Sequence, residues 1–135
     1  MMMVDNLTPE KRSKIMRSIR SSNTKPEMLV RRLVHSMGYR YRLHSRKLPG
    51  RPDLVFASRR AVIFVHGCFW HLHASCSISH VPDAKGWSPK LLANRARDKK
   101  AVESLQAKGW RVMIIWECDL DHLLKLRSSI ETFLN

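Results

Sequence analysis

Metal-binding and proton-transferring side chains are concentrated around two short apolar segments near the middle of the chain. Asp53 directly precedes the first segment, Leu54–Phe56, and the second segment covers residues 61–65. Because the residues between the segments are typical of a turn, we predict neighbouring strands of a hairpin. A purely structural hairpin has no need for so many titratable groups, so we expect the chemistry to occur here. The groups that follow the second segment are His66, Cys68, His71 and His73.

An isolated carboxylate at the mouth of such a hairpin is a candidate anchor for Mg²⁺. This ion needs only one or two protein carboxylates and takes its other oxygen ligands from water and phosphate. We expect Asp53 to hold the ion and His66 or His71 to accept a proton from the attacking water near neutral pH. Asp98, on a later helix, is suited to orienting that histidine. Each histidine alone is more typical of a structural role, but with the basic composition the set favours metal-assisted phosphodiester hydrolysis.

The cysteines suggest a second metal site. Their odd number does not suit a disulfide framework and fits a reducing cytoplasm. Residues 62–68 and residues 112–118 each place a cysteine six positions after an opening valine, and the helix between them predicts parallel strands that end together. Four soft ligands favour a closed, structural zinc site, although the cysteines are also compatible with ordinary buried small residues. The four predicted ligands are Cys68, His73, Cys76 and Cys118.

A helix that begins at Thr24 and ends before Gly38 is predicted to flank the hairpin, with Val30 and Val34 in its apolar stripe. Glu27 completes a capping box with Thr24 but also falls on the core-facing side of the helix. Its role therefore remains open between a helix cap and an active-site helper.

A longer helix over residues 88–108 places Asn94 and Asp98 one turn apart on its core-facing stripe. A carboxylate on such a side usually has a partner or a function, because unpaired burial is costly. Residues 110–116 form a continuous apolar segment that is predicted to be a central strand. Residues 121–135 are predicted to form a helix that covers one face of the sheet.

The charge is strongly positive and unevenly distributed. The formal net charge is +14; residues 1–60 contain 15 lysines and arginines against 4 acidic residues, and residues 61–135 contain 10 against 7. Nucleic acid is the leading partner class and an anionic membrane surface the second, since the basic residues are spread over several elements. No apolar run approaches the roughly 20 residues that cross a bilayer. The length suits one globular domain.

Two further regions are candidates for DNA contact. A basic helix starting at Thr8-Pro9, which includes Lys14 and Arg17, has a narrow apolar stripe and is predicted either to dock on DNA or to remain a solvated terminal helix. The aromatic residues Phe69 and Trp70, and with a weaker case Trp87, either pack beneath their loop or wedge between base pairs.

Several segments resemble the very short patch repair, or Vsr, family of DNA mismatch endonucleases. The resemblance extends over residues 8–120, and the element from His66 to His71 is its most specific part. The segments are Leu48-Pro-Gly-Arg-Pro-Asp53, Val62-Ile-Phe-x-His-Gly-Cys-Phe-Trp-His71, Asn94-x-x-x-Asp98, Gly109-Trp-Arg-Val-x-Ile-x-Trp-Glu-Cys118 and Arg12-Ser-Lys-x-Met-Arg-x-Ile19.

The resemblance implies a restriction-endonuclease-like α/β fold of the PD-(D/E)XK superfamily, in which helices flank a mixed sheet and a structural zinc is bound. A single domain of residues 1–135 would comprise a basic DNA-binding helix, residues 1–22, and a catalytic core, residues 23–135. The implied activity is Mg²⁺-dependent nicking of one strand on the 5′ side of the thymine in a T:G mismatch. Such mismatches arise when 5-methylcytosine is deaminated.

The resemblance also assigns roles to individual residues. Asp53 and the Val65 carbonyl would hold Mg²⁺, because the second strand lacks the acidic residue and lysine of the wider superfamily. In place of that lysine, His71 would activate water. Asp98 would support His71, and His66 and Glu27 would assist. The implied DNA contacts are Phe69, Trp70, Trp87, Lys14, Arg17 and Asn94.

The expected partner is double-stranded DNA that carries a T:G mismatch, with other mismatch-repair proteins as further candidates. We expect a monomer associated with the nucleoid in the cytoplasm and not with a membrane. One alternative is a nuclease of the same fold with another target, such as a restriction or mobile-element enzyme. A second is a non-catalytic zinc DNA-binding protein, which would have no need of Asp53, His71 and Asp98 together.

Overall fold

The computed structural model describes residues 24–68 and 89–135, which form a four-stranded sheet with helices packed against it. The strands are β1 (Arg42–Leu43), β2 (Leu54–Phe56), β3 (Ala61–His66) and β4 (Arg111–Trp116); the helices are α1 (Lys25–Ser36), α2 (Pro89–Ala107) and α3 (Leu123–Leu134), with 3-10 turns at Ala57–Arg59 and Glu117–Asp121. The strand order is β1-β2-β3-β4. The β1–β2 and β2–β3 pairs are antiparallel, and the β3–β4 pair is parallel. The predicted mixed α/β architecture and its central hairpin are confirmed.

Helix α1 begins and ends as its sequence predicts. The Thr24 hydroxyl accepts a hydrogen bond from the backbone N–H of Glu27 at 3.3 Å, which satisfies one of the free donors at the helix start. Gly38 follows the helix with φ +88°, a conformation that glycine adopts at little cost. Val30 and Val34 are fully buried, so the predicted apolar stripe faces the core.

The two strands that precede the cysteines pair in the predicted register. Val62 lies opposite Val112 in the parallel β3–β4 pair, and the pairing continues to His66 opposite Trp116. Helix α2 makes the crossover between these strands. Two parallel strands cannot be joined by a tight turn, so the parallel pairing requires a long connection such as this one.

The core has one part on each face of the sheet, as the period-2 alternation of strand side chains requires. On one face, Ala61 and Ile63 pack with residues of α1 and α3. On the other face, Val62 and Phe64 pack with Leu105 of α2. The helices therefore approach the hairpin from opposite sides, and each brings its own polar residues towards a different face.

Helix α3 covers one face of the sheet, as predicted, with only some of its apolar residues. Leu126, Ile130 and Leu134 are buried, but Leu123 is 54% exposed and Leu124 is 87% exposed. A helix turns about 100° per residue, so Leu124 lies roughly 200° from Leu126 and faces away from the sheet. Leu123 lies in the first turn, where the helix starts.

The segment before Asp53 lies unusually close to helix α2. Gly50 has φ +76°, and a Cβ atom built on it would lie 2.6 Å from the Ala101 Cβ. Any larger residue would force this loop away from the helix. The contact therefore fixes the position from which the chain enters β2.

Two predicted regions, the basic helix near the start of the chain and the loop of residues 74–87, lie outside the described residues. Within the described part of the chain, no helix combines the length and the apolar character that crossing a membrane requires.

Candidate metal-binding active site

Asp53 occupies the entrance to β2 and reaches across to β3 with its side chain. Its Oδ2 accepts a hydrogen bond from the backbone N–H of Val65 at 2.7 Å. The carboxylate thus takes the place of the backbone carbonyl that usually accepts from a strand N–H. This bond fixes one carboxylate oxygen and leaves Oδ1 directed to the neighbouring groups. Burial raises the pKa of Asp53 from 3.8 to about 7, and the Glu27 carboxylate also raises it, whereas the Val65 hydrogen bond and His44 oppose the shift.

Glu27 enters the same site from α1. Its side chain is only 2% exposed, and its Oε2 lies 2.7 Å from the His44 Nε2 and 3.5 Å from the Arg31 Nη1. A buried carboxylate is retained only where polar partners replace its lost hydration. The Glu27 backbone N–H donates to the Thr24 cap, while its carboxylate contacts His44 and Arg31. The role of Glu27 as an active-site helper stays a prediction.

His44 completes the group, and sequence reasoning missed it. The pairing of Leu43 with Leu54 places His44 beside Asp53, and the His44 N–H donates to the Asp53 carbonyl at 3.2 Å. The His44 Nε2 lies 4.0 Å from the Asp53 Oδ1. Strand β1 has only two residues, so its register could not be read from the sequence. A signal was present in the alternation of residues 39–44, which ends at this histidine.

We call these three residues, Glu27, His44 and Asp53, the carboxylate–imidazole cluster. One ligand atom from each lies within 4.8 Å of the other two, which is close enough for a single divalent ion. Two carboxylates and an imidazole are groups that such ions accept. The donor set therefore fits a divalent metal ion. Asp53 belongs to this set, and its role as the anchor of the ion stays a prediction.

His66 lies elsewhere. Its ring is 4% exposed and packs 5.6 Å from the Phe64 ring and 5.2 Å from the Trp116 ring, measured between centroids. Since His66 alternates with Val65, its side chain belongs to the face that α2 covers. On that helix Asn94 is buried and Asp98 is half-buried. The structure thus places His66 and the predicted α2 residues on one face and the carboxylate–imidazole cluster beside the other helix, α1. The catalytic role of His66 stays a prediction.

Cys68 and Cys118, which we call the strand-exit cysteines, follow β3 and β4 at equivalent positions. Each lies two residues beyond the last pair of the parallel register, His66 and Trp116. Cys68 is buried, Cys118 is partly exposed, and neither forms a disulfide. The 3-10 turn that carries Cys118 is capped by a hydrogen bond from the Trp116 N–H to the Asp119 Oδ2 at 2.8 Å. The two predicted zinc ligands therefore follow the carboxyl ends of two neighbouring parallel strands.

The remaining predicted site residues belong to parts of the chain that the structure does not describe. They are His71, His73, Cys76, Phe69, Trp70, Trp87, Lys14 and Arg17. Their predicted roles in water activation, zinc binding and DNA contact therefore remain predictions. Three roles of described residues also remain predictions: the Val65 carbonyl as a Mg²⁺ ligand, Asn94 as a DNA contact and Asp98 as a catalytic support.

Comparison with known proteins identifies relatives over nearly the whole chain. Residues 4–77 match the model of the family described as DNA mismatch endonuclease Vsr. A type II nicking enzyme, V.XorIIP of Xanthomonas oryzae pv. oryzae, is 51% identical over 98% of each chain. The DNA mismatch endonuclease Vsr of Escherichia coli K12 is 42% identical over 90% of this chain and 78% of its own.

A solved structure shares the fold. The catalytic domain of the homing endonuclease I-Bth0305I superposes with a TM-score of 0.59 and 22% sequence identity, covering 82% of this chain and 94% of that domain. At this identity the likeness concerns the fold alone, and it agrees with the mixed sheet and flanking helices described above. The family match and the full-length relatives supply the rest: the chain belongs to the Vsr family and is a DNA endonuclease.

Proposed function

We propose that this endonuclease nicks one strand of double-stranded DNA on the 5′ side of the thymine in a T:G mismatch, with Mg²⁺ as its catalytic ion. The observation that carries the proposal is the position of Asp53, whose carboxylate is held by the β3 backbone beside two other potential metal ligands. The relatives named for mismatch cleavage and for nicking support the choice of substrate.

Asp53 is the principal ligand in this proposal, because the Val65 N–H orients one of its oxygens while the carboxyl group faces Glu27 and His44. The Val65 carbonyl is the second protein ligand. A bound Mg²⁺ supplies Lewis-acid stabilisation of the charge that develops on the phosphate during cleavage. His71 accepts a proton from the attacking water, and Asp98 supports it. Glu27 and His66 assist from the two sides of the sheet.

The excess of positive charge supports the choice of partner. A net charge of +14 on 135 residues attracts a polyanion, and contacts between cationic side chains and phosphates supply most sequence-independent affinity for DNA. Lys14 and Arg17 are proposed to contact the backbone, with Asn94 as a further DNA contact. Phe69, Trp70 and Trp87 are proposed to open the duplex beside the mismatch by partial intercalation.

We further propose that a structural zinc joins the strand-exit cysteines to His73 and Cys76. The support is the parallel register, which sets Cys68 and Cys118 at corresponding positions after their strands. Zinc favours four sulfur and nitrogen ligands in a tetrahedral arrangement, and a closed set of this kind is structural rather than catalytic.

A nicking assay on end-labelled duplexes tests the function. The duplexes carry T:G, T:A or C:G at one position in several flanking contexts, and each is incubated with Mg²⁺ or with a chelator. We expect a single nick beside the thymine, in T:G duplexes only, and none with the chelator. Cleavage of matched duplexes would assign another DNA target to the same fold. Tight binding without cleavage in any context would contradict the proposal and favour a non-catalytic DNA-binding protein.

A further inference from the structure

The carboxylate–imidazole cluster contains a nitrogen donor that a pure magnesium site does not need. Its three members come from α1, from the end of β1 and from the start of β2, so only the folded chain brings them together. The Glu27 carboxylate and the His44 ring meet at 2.7 Å, and the same ring nitrogen lies 4.0 Å from the Asp53 Oδ1. One atom, the His44 Nε2, is therefore directed at both carboxylates.

The position of His44 is fixed by its backbone as well as by its side chain. Its φ is +46°, a left-handed conformation that non-glycine residues adopt rarely, and its N–H donates to the Asp53 carbonyl. Backbone strain of this kind persists where the surrounding structure imposes it, and it occurs often at functional sites. The half-buried ring is thus presented to the two carboxylates by a constrained segment.

We propose that His44 is a direct ligand of the divalent ion, so that its Nε2, the Asp53 Oδ1 and the Glu27 Oε2 together form a site that prefers Mn²⁺ over Mg²⁺. This inference rests on the proposed metal site at Asp53 and extends it. The His44 Nε2 and the Glu27 Oε2 lie 2.7 Å apart in the metal-free protein, and in the proposed site both atoms bind the ion instead of each other. The approach of Arg31 to Glu27 at 3.5 Å offsets part of the remaining negative charge.

The expected selectivity follows from the ligand types. Mg²⁺ binds oxygen donors and gives up its water reluctantly, whereas imidazole suits first-row transition ions. Replacing His44 by glutamine keeps a polar side chain of similar length but removes the imidazole. We therefore expect His44→Gln to weaken Mn²⁺ binding about tenfold or more and to change Mg²⁺ binding much less.

Pulsed electron paramagnetic resonance on the full chain loaded with MnCl₂ measures the ligation directly. We expect coupling from an imidazole nitrogen in the wild-type protein, its loss in His44→Gln, and its retention in His35→Gln, which removes an exposed histidine of α1 as a matched control. Isothermal titration with MnCl₂ and with MgCl₂ gives the two affinities. Circular dichroism verifies folding, and His44→Asn replaces His44→Gln if the latter does not fold.

Several results would overturn the inference. These are the absence of nitrogen coupling in the wild-type protein, coupling that persists in a folded His44 variant, and an equal loss of Mn²⁺ and Mg²⁺ affinity in that variant. The last result would make His44 a positioning residue for Glu27. The variant Asp53→Asn separates these failures from failure of the proposed metal site: if it binds Mn²⁺ as tightly as the wild-type protein, Asp53 is not a ligand and both proposals fall. If it loses binding while nitrogen coupling is absent from the wild type, only the role of His44 is wrong.

Discussion

The carboxylate–imidazole cluster and the strand-exit cysteines are assembled by different kinds of interaction. The cluster is held by side-chain contacts among a helix, a two-residue strand and the entrance to another strand. The cysteines follow two paired parallel strands at corresponding positions, each two residues beyond the last pair of the register. The carboxylate–imidazole cluster therefore depends on individual side chains. The strand-exit cysteines depend on the pairing of the strands and on any ligand that connects the strand ends. Substitutions in the two regions should therefore have different consequences, for activity in one and for stability in the other.

The largest effect is expected from Asp53→Asn. The amide still accepts the Val65 N–H but lacks the charge that holds a metal ion, so nicking should fall on the order of a thousandfold or more while the fold persists. Nicking rates under single-turnover conditions and a thermal melt measure the two properties. Asp121→Asn, which changes an exposed carboxylate, is the matched control. A parallel loss of DNA binding and folding in Asp53→Asn would remove the distinction between the two regions.

Cys118→Ser is expected to affect stability more than the chemistry of cleavage, the reverse of Asp53→Asn. If zinc joins the strand-exit cysteines, the purified protein contains about one zinc per chain, and this variant loses it together with about 3 kcal/mol or more of stability. Elemental analysis by mass spectrometry and chemical denaturation give both quantities. Asp53→Asn should retain its zinc. A folded, active wild-type protein without zinc would refute the site.

A substitution at the loop that sets Asp53 should have an intermediate effect. In Gly50→Ala the new methyl group meets the Ala101 side chain in a left-handed backbone, which should cost about 1–3 kcal/mol. Gly38→Ala is the matched control, because Gly38 also has a positive φ but has no atom within 4 Å of the added carbon. Its cost should be about 1 kcal/mol. Equal costs in urea denaturation would show that the backbone conformation, and not the contact with α2, sets the effect.

A further prediction concerns the pH dependence of stability in the metal-free protein. The pKa of Asp53 is raised from 3.8 to about 7, so the folded state holds a proton that the unfolded state releases between these values. Stability should therefore fall as pH rises through this window, and Asp53→Asn should remove that contribution. Urea denaturation at several pH values in the presence of a chelator measures the slope. A slope that is unchanged in the variant would show that another group is responsible.

The segments with clear periodicity were predictable, because their local pattern and their tertiary role agree. The helix from Thr24 to Gly38 follows from a capping hydroxyl, an apolar stripe and a terminal glycine. The parallel register of Val62 with Val112 follows from two apolar segments joined by a long helix. Leu124 shows the limit of such reasoning. It is an apolar residue in a helical segment, but it lies on the side of the helix that faces away from the sheet and is therefore exposed.

The amino-acid sequence by itself determined the family, the basic character, the extents of the described helices and the position of Asp53 at the entrance to β2. These features depend on local patterns and on specific motifs. Only the tertiary structure decided that His44 joins Glu27 and Asp53, and that His66 packs on the other face beside Trp116. The physical reason is the distance along the chain between the residues that interact. A cap or a stripe is written in neighbouring residues, whereas the approach of one imidazole to two carboxylates depends on how a helix and a hairpin pack together.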